Sequence, residues 1–358
     1  MFRYKTNFVT AVLLFSYTFL HLKLTGVFTE ATFEQYINFA VRLPYGQRLL
    51  IPAIAHGLAT ILPISTGEIF FLLEWLSNCL VFYAIYYLLL REFSPKQAKL
   101  LSWLFIVLLP LISAVNYRYP LSGEAPFYFP NDSAALFFVA AGMLLCLKER
   151  WYLFTAVVCL ATFNRESSIL LVLFIPALHW ARLKEVIKPL LCSMLIYILT
   201  RLIIVMLLQN LHGQWIELYY LNTLEAHFEV NLLRLLYYQQ IFLFPFCFAC
   251  IPIFWFAFYD YIPQRYQPLK YIALLYFLGL LLVGNFIESR IFGEIVIMLY
   301  LPVCAGIYRW LTDREENNYA NLGKIAFYVD RYAIVTTFAL IILFKCPLTK
   351  LLLWLTHP

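Results

Sequence analysis

Charge is scarce in this sequence. Asp, Glu, Lys and Arg make up 13% of its 358 residues, about half the share of a soluble domain. With 63% of the chain hydrophobic, a water-soluble globule of this size is excluded, because its surface could not be made polar enough. The period-two alternation of a porin-type barrel is missing too. No low-complexity tract or internal repeat occurs, which sets aside disordered and solenoid chains. Walker, GxSxG, HExxH and Rossmann fingerprints are all lacking. The six histidines have no metal-ligand spacing, so no cofactor is implied. Eight cysteines are scattered through apolar runs. Cys247 and Cys250 form a CxxC inside such a run, with no strand pattern before it, and read as core packing.

What is present is a series of apolar runs of 15 to 23 residues along the whole length. The fold class is therefore all-α: a single-domain, polytopic transmembrane helix bundle. Candidate spans lie near 7–22, 68–90, 100–116, 133–147, 151–163, 168–181, 189–208, 235–257, 271–284, 295–308 and 332–344, or about 11 crossings. Residues 49–63 are apolar but short, and bracketed by Pro52 and Pro63. Counting them as a crossing would put the basic segment Arg91 to Lys99 outside, so they read as a re-entrant or interfacial helix, the alternative being a short true crossing with another span misassigned.

Orientation follows from charge. With the N-terminus cytoplasmic, the inner segments carry 16 Lys and Arg and the outer ones 9, as the positive-inside rule requires. The formal net charge of +6 then reflects topology and does not imply nucleic acid. The first span reads as an uncleaved signal anchor. The expected location is an integral, multi-pass protein of a bacterial inner membrane, with the lipid bilayer as its surroundings.

The polar residues hardest to place in lipid then fall on the outer side. The first outer segment carries Glu30, Glu34, Arg42, Tyr45, Gln47 and Arg48; the second carries Arg118, Tyr119, Glu124 and Asp132. Asn164, Arg165 and Glu166 form a tight apex between two apolar runs. A longer segment holds His212, Glu217, Tyr219, Tyr220, Asn222, Glu225 and His227, and the last holds Asn285, Glu288, Arg290 and Glu294. An Arg or Asp at depth costs about 2.5–3.5 kcal/mol, so these groups face either water, a ligand or partner charges that bridge short helices. Glu74 and Arg201 lie within spans and read as packing or snorkelling groups.

An outward recess would put three guanidiniums, Arg48, Arg165 and Arg290, where they could grip a lipid phosphate, since Arg forks onto phosphate and keeps its charge in low dielectric. Glu30 and Glu34 share one face at i, i+4. Either could take a proton from an attacking hydroxyl, and an amphipathic interfacial helix explains the same spacing.

In this layout the sequence resembles the GT-C superfamily of integral-membrane glycosyltransferases. A first span leads to a long acidic outer segment, then to a bundle whose polar loops gather outside. The phrases YGQRLLIPAI, PNDSAALFF, FNRESSILL and IESRIFGE carry the likeness locally. The resemblance implies transfer of a sugar from a polyprenyl-phosphate donor to a glycan, lipid or protein acceptor. Glu30 or Glu34 would be the base. Arg48, Arg165 and Arg290 would bind phosphate, while Asn164, Glu166, Asp132 and Glu288 would line the substrate site. No acidic pair stands at the family's usual place and there is no soluble outer domain; no metal is required, although the carboxylates leave room for a divalent ion. A transporter or flippase, or a non-catalytic assembly protein that docks a partner through its aromatic outer loops, are the competing readings.

Overall fold

The computed structural model describes residues 2–114, 127–218, 226–236, 244–286, 288–313 and 324–344, with 347 and 350. Fourteen helices carry these residues. In chain order they are α1 Phe2–Leu24, α2 Phe33–Ile37, α3 Leu50–Ile61, α4 Thr66–Leu89, α5 Pro95–Ser113, α6 Asp132–Leu147 and α7 Trp151–Asn164. After them come α8 Ile169–Leu178, α9 Leu183–Leu207, α10 His227–Leu236, α11 Ile251–Ala257, α12 Leu269–Val283, α13 Gly293–Leu311 and α14 Lys324–Leu343. The only sheet among the described residues is a parallel pair, Gly26–Val27 with Phe127–Tyr128.

The helices start where the sequence supplies caps. Ser65 with Glu68, Ser94 with Gln97 and Thr32 with Gln35 form capping boxes that satisfy the first free N–H groups of α4, α5 and α2. Pro95 opens α5 at a position that needs no donor. Six helical segments are long and apolar enough to cross a membrane: Tyr4–Leu24, Thr66–Leu89, Pro95–Ser113, Trp180–Leu207, Gln264–Val283 and Ser289–Leu311. The chain is helical, and these segments are compatible with a multi-pass membrane protein.

The expected span at 235–257 is not one helix. Residues 237–243 lie outside the described part. Beyond them, a 3-10 turn at Phe244–Phe248 leads through Ala249 and Cys250, both in the left-handed region, into the seven residues of α11. At 1.5 Å per residue that helix is about 10 Å long, far below the roughly 30 Å of hydrocarbon. The apolar stretch at 49–63 forms α3, whose 12 residues extend about 18 Å; it packs on α2, α4 and α7.

α13 is the hub: 89% of its apolar window is buried. Around it pack α5, α6, α11 and α12, with α4 and α7 against α6. Gly142 on α6 lets the Leu171 side chain of α8 approach so closely that a Cβ would sit 2.7 Å from it. α9 is the opposite case, with 17% of its window buried and Leu199, Leu202, Ile203, Met206 and Leu207 exposed. Such a helix is stable in lipid and not in water.

The bundle has two polar ends. At one, Tyr266 Oη donates to Glu92 Oε1 at 2.8 Å, Arg182 pairs with Glu149 at 2.7 Å and Lys270 with Asp330 at 2.6 Å. At the other lie the starts of α6, α8 and α13 and the ends of α7 and α12.

Candidate functional site

The second end encloses a cavity of about 370 Å³. Its walls come from the segment before α3 (Tyr45, Gln47, Arg48), the α7–α8 apex (Arg165, Glu166) and α9 (Tyr197, Arg201). The segment Trp215–Glu217 and the α12–α13 connection (Asn285, Glu288, Arg290) close it. Of the nine residues to which the resemblance gives a site role, Arg48, Arg165, Glu166, Glu288 and Arg290 therefore line one hollow. The helices leading to it are short. α6, α7 and α8 have 16, 14 and 10 residues, or about 24, 21 and 15 Å at 1.5 Å each. All three are shorter than the roughly 20 residues of a full span.

The charges meet as an alternating network. Asp132, the first residue of α6, accepts from Arg165 Nη1 at 3.1 Å and from Arg290 Nη1 at 2.8 Å. Arg165 lies 3.3 Å from Glu294, which also accepts from Ser167 Oγ at 2.8 Å. Arg290 pairs with Glu288 and lies with its guanidinium carbon 3.8 Å from the Phe129 ring centroid, a cation–π contact. Arg48 donates from Nη2 to Glu166 Oε1 at 2.9 Å and from Nε to Oε2 at 3.3 Å. Burial works against the charge of Arg48, but the neighbouring Glu166 outweighs it and holds the guanidinium above its usual value. Burial pushes the Tyr45 phenol up to about 12, with Glu288 and Glu217 acting in the same direction, so it stays a neutral hydroxyl.

The arginines differ in their partners. Arg165 and Arg290 each face two carboxylates, and Arg48 faces one. Arg201 donates from Nη2 to Gln47 Oε1, a neutral amide, at 2.7 Å. The Nη1 atoms of Arg201 and Arg48 are buried with no hydrogen-bond partner among the described residues. A buried donor left unmade costs about 1–3 kcal/mol, so this side of the cavity is the one suited to an incoming anion. In sequence Arg201 reads as a packing or snorkelling group, and a lone Arg in an apolar run is its only signal.

Asn164, Glu34 and Glu30 lie outside the cavity. Asn164 is buried behind the wall and donates from Nδ2 to Asn131 O at 3.0 Å. Glu34 is exposed on α2, where it accepts from Thr66 Oγ1 at 2.9 Å. Glu30, its side chain 49% exposed, pairs with Arg42 Nε at 2.6 Å. Arg42 Nη1 in turn binds Glu217, which does line the cavity. Arg118, Tyr119, Glu124, Tyr219, Tyr220, Asn222 and Glu225 fall outside the described residues.

Glu74 sits apart from the cavity, in an enclosed network. His21 Nδ1 lies 2.9 Å from Glu74 Oε1, which accepts from Ser133 Oγ at 2.6 Å and Asn78 Nδ2 at 3.2 Å. Tyr128 Oη donates to Oε2 at 3.3 Å. Among the described residues no group of three His, Cys, Asp or Glu is placed to hold a metal ion. Compared with family models, curated proteins and solved structures, the chain matches none.

Proposed function

We propose that the protein is a membrane glycosyltransferase that moves a sugar from a polyprenyl-phosphate donor to a glycan, lipid or protein acceptor. In this reading the cavity opens to the periplasm of a bacterial inner membrane and the N-terminus is cytoplasmic. The observation that carries the reading is the convergence of Arg48, Arg165, Glu166, Glu288 and Arg290 on one cavity at the lip of short apolar helices. A donor of this class has a charged head and an apolar tail, and so suits a polar hollow walled by the lipid-facing α9.

The donor phosphate is assigned to Arg48 and Arg201, because Arg165 and Arg290 already have carboxylate partners. Trp215, Ile216 and Val283 supply the apolar rim. The test uses the full chain in lipid nanodiscs with undecaprenyl phosphate carrying radiolabelled mannose or glucose. Release or transfer of label is expected in the wild type, with at least a tenfold loss in Arg201→Gln and in Arg48→Gln at normal accumulation. Full activity in both variants would overturn the proposal.

A further inference from the structure

We infer that Glu217 is the carboxylate that takes the acceptor's proton in this cavity, and that Glu30 positions it through Arg42. This rests on the transfer reading above and deepens it. A general base must reach the reacting hydroxyl at about 2.6–3.2 Å with a lone pair to offer. Three carboxylates line the cavity: Glu166, Glu217 and Glu288.

Hydrogen-bond accounting separates them. Both oxygens of Glu166 accept from Arg48. Glu288 accepts from Arg290 at Oε2 and from Asn285 Nδ2 at Oε1, 3.4 Å away. Glu217 is held at Oε1 alone, by Arg42 Nη1. Its Oε2 accepts from none of the described residues, and its side chain is 13% exposed. Glu217 is thus oriented by a cation at one oxygen and open at the other, the arrangement a base requires.

The scaffold behind it is fixed by backbone. Leu43 N donates to His212 O at 2.8 Å, and Leu43 bridges Gly213. Gly213 has φ +112°, and a Cβ there would stand 2.5 Å from Leu43 O, so only glycine lets the two segments meet. The bridge puts Arg42 beside the Trp215–Glu217 segment. Arg42 then forks, with Nε to Glu30 and Nη1 to Glu217 and to Leu43 O at 2.9 Å. Glu30 fixes the Arg42 fork without reaching the cavity.

In the step itself the acceptor oxygen bonds to the anomeric carbon and the bond from that carbon to the phosphate oxygen breaks. The electron pair leaves with polyprenyl phosphate, and the hydroxyl proton passes to Glu217 Oε2. With water as acceptor the same step releases free sugar, which gives an assay that needs no knowledge of the natural acceptor.

The test measures release of sugar from undecaprenyl-phosphate [14C]mannose or glucose by the full chain in nanodiscs, alongside the melting shift caused by undecaprenyl phosphate. Glu217→Gln should lower release about 100-fold or more, the low end for a lost base, with the melting shift retained. Formate should rescue Glu217→Ala, which a merely structural role would not allow, and Glu217→Asp should keep part of the activity. Glu30→Gln should lose about tenfold with no formate rescue. If Glu217→Gln stays within threefold of wild type while Glu30→Gln or Glu34→Gln loses turnover, the inference is overturned and sugar transfer stands. A wild type that neither releases sugar nor responds to undecaprenyl phosphate overturns the transfer reading and this inference together.

Discussion

Arg48 grips both carboxylate oxygens of Glu166 across 118 residues of chain. The contact ties the segment before α3 to the apex between α7 and α8, so it sets the width of the cavity mouth. The Glu166 side chain is 37% exposed, which screens the pair. A double-mutant cycle of Arg48→Ala and Glu166→Ala should give a coupling of about 1 kcal/mol, in the range for residues in direct contact. Thermal unfolding in detergent measures it, and a coupling near zero would mean that the two segments are held by other contacts.

Asp132 carries more weight. It is buried between Arg165 and Arg290, and its removal leaves the two enclosed guanidiniums with only Glu294 and Glu288, one each. Asp132→Ala should destabilise the protein by about 3–5 kcal/mol, as for a broken buried pair. Asp132→Ala combined with Arg290→Met should recover part of that loss. Melting temperature and membrane accumulation report both.

Glu74 is a structural carboxylate in this arrangement. Glu74→Gln keeps one acceptor oxygen for His21, Ser133 and Asn78, whereas Glu74→Ala leaves several buried donors without a partner, each costing about 1–3 kcal/mol. The expected order of melting temperature is wild type, Glu74→Gln, Glu74→Ala. The response to undecaprenyl phosphate should not follow that order.

The opposite end of the bundle titrates. Burial holds the His179 imidazole below its ordinary value of 6.5. The hydrogen bond from Arg182 outweighs burial and, with the neighbouring charges of Arg182 and His179, holds the Glu149 carboxyl below its own ordinary value. Both shifts are downward, so the unfolded chain binds these protons more readily than the folded one. Their stabilisation is complete above the unfolded values and is lost as pH falls through the folded ones. Melting temperature should therefore decline from pH 7 to pH 4, and His179→Asn should flatten the part between pH 7 and pH 5. An unchanged profile in that variant would remove His179 from the effect.

Most helices are legible from apolar run length, because in lipid each backbone group must be satisfied within its own helix. The stretch at 235–257 is as apolar as a span, yet the left-handed pair Ala249 and Cys250 breaks it, and no composition rule announces that conformation in residues other than glycine. The gathering of Arg48, Arg165, Glu166, Glu288 and Arg290 was legible from the cost of putting charge at depth. Their pairing was not, since which carboxylate neutralises which guanidinium depends on the bundle's packing. Glu217 shows the same limit. It was visible as an outer-loop acid, but its holder, Arg42, lies 175 residues earlier.

The thin burial of α9 has a mechanical consequence. One wall of the hollow, bearing Tyr197 and Arg201, is a rod attached to the bundle along a narrow seam, its remaining faces apolar and exposed. Such a wall tilts with bilayer thickness. In the transfer reading proposed above, turnover should then depend on acyl chain length, with the donor's isoprenoid tail staying among the lipid chains while only its head passes between the helices.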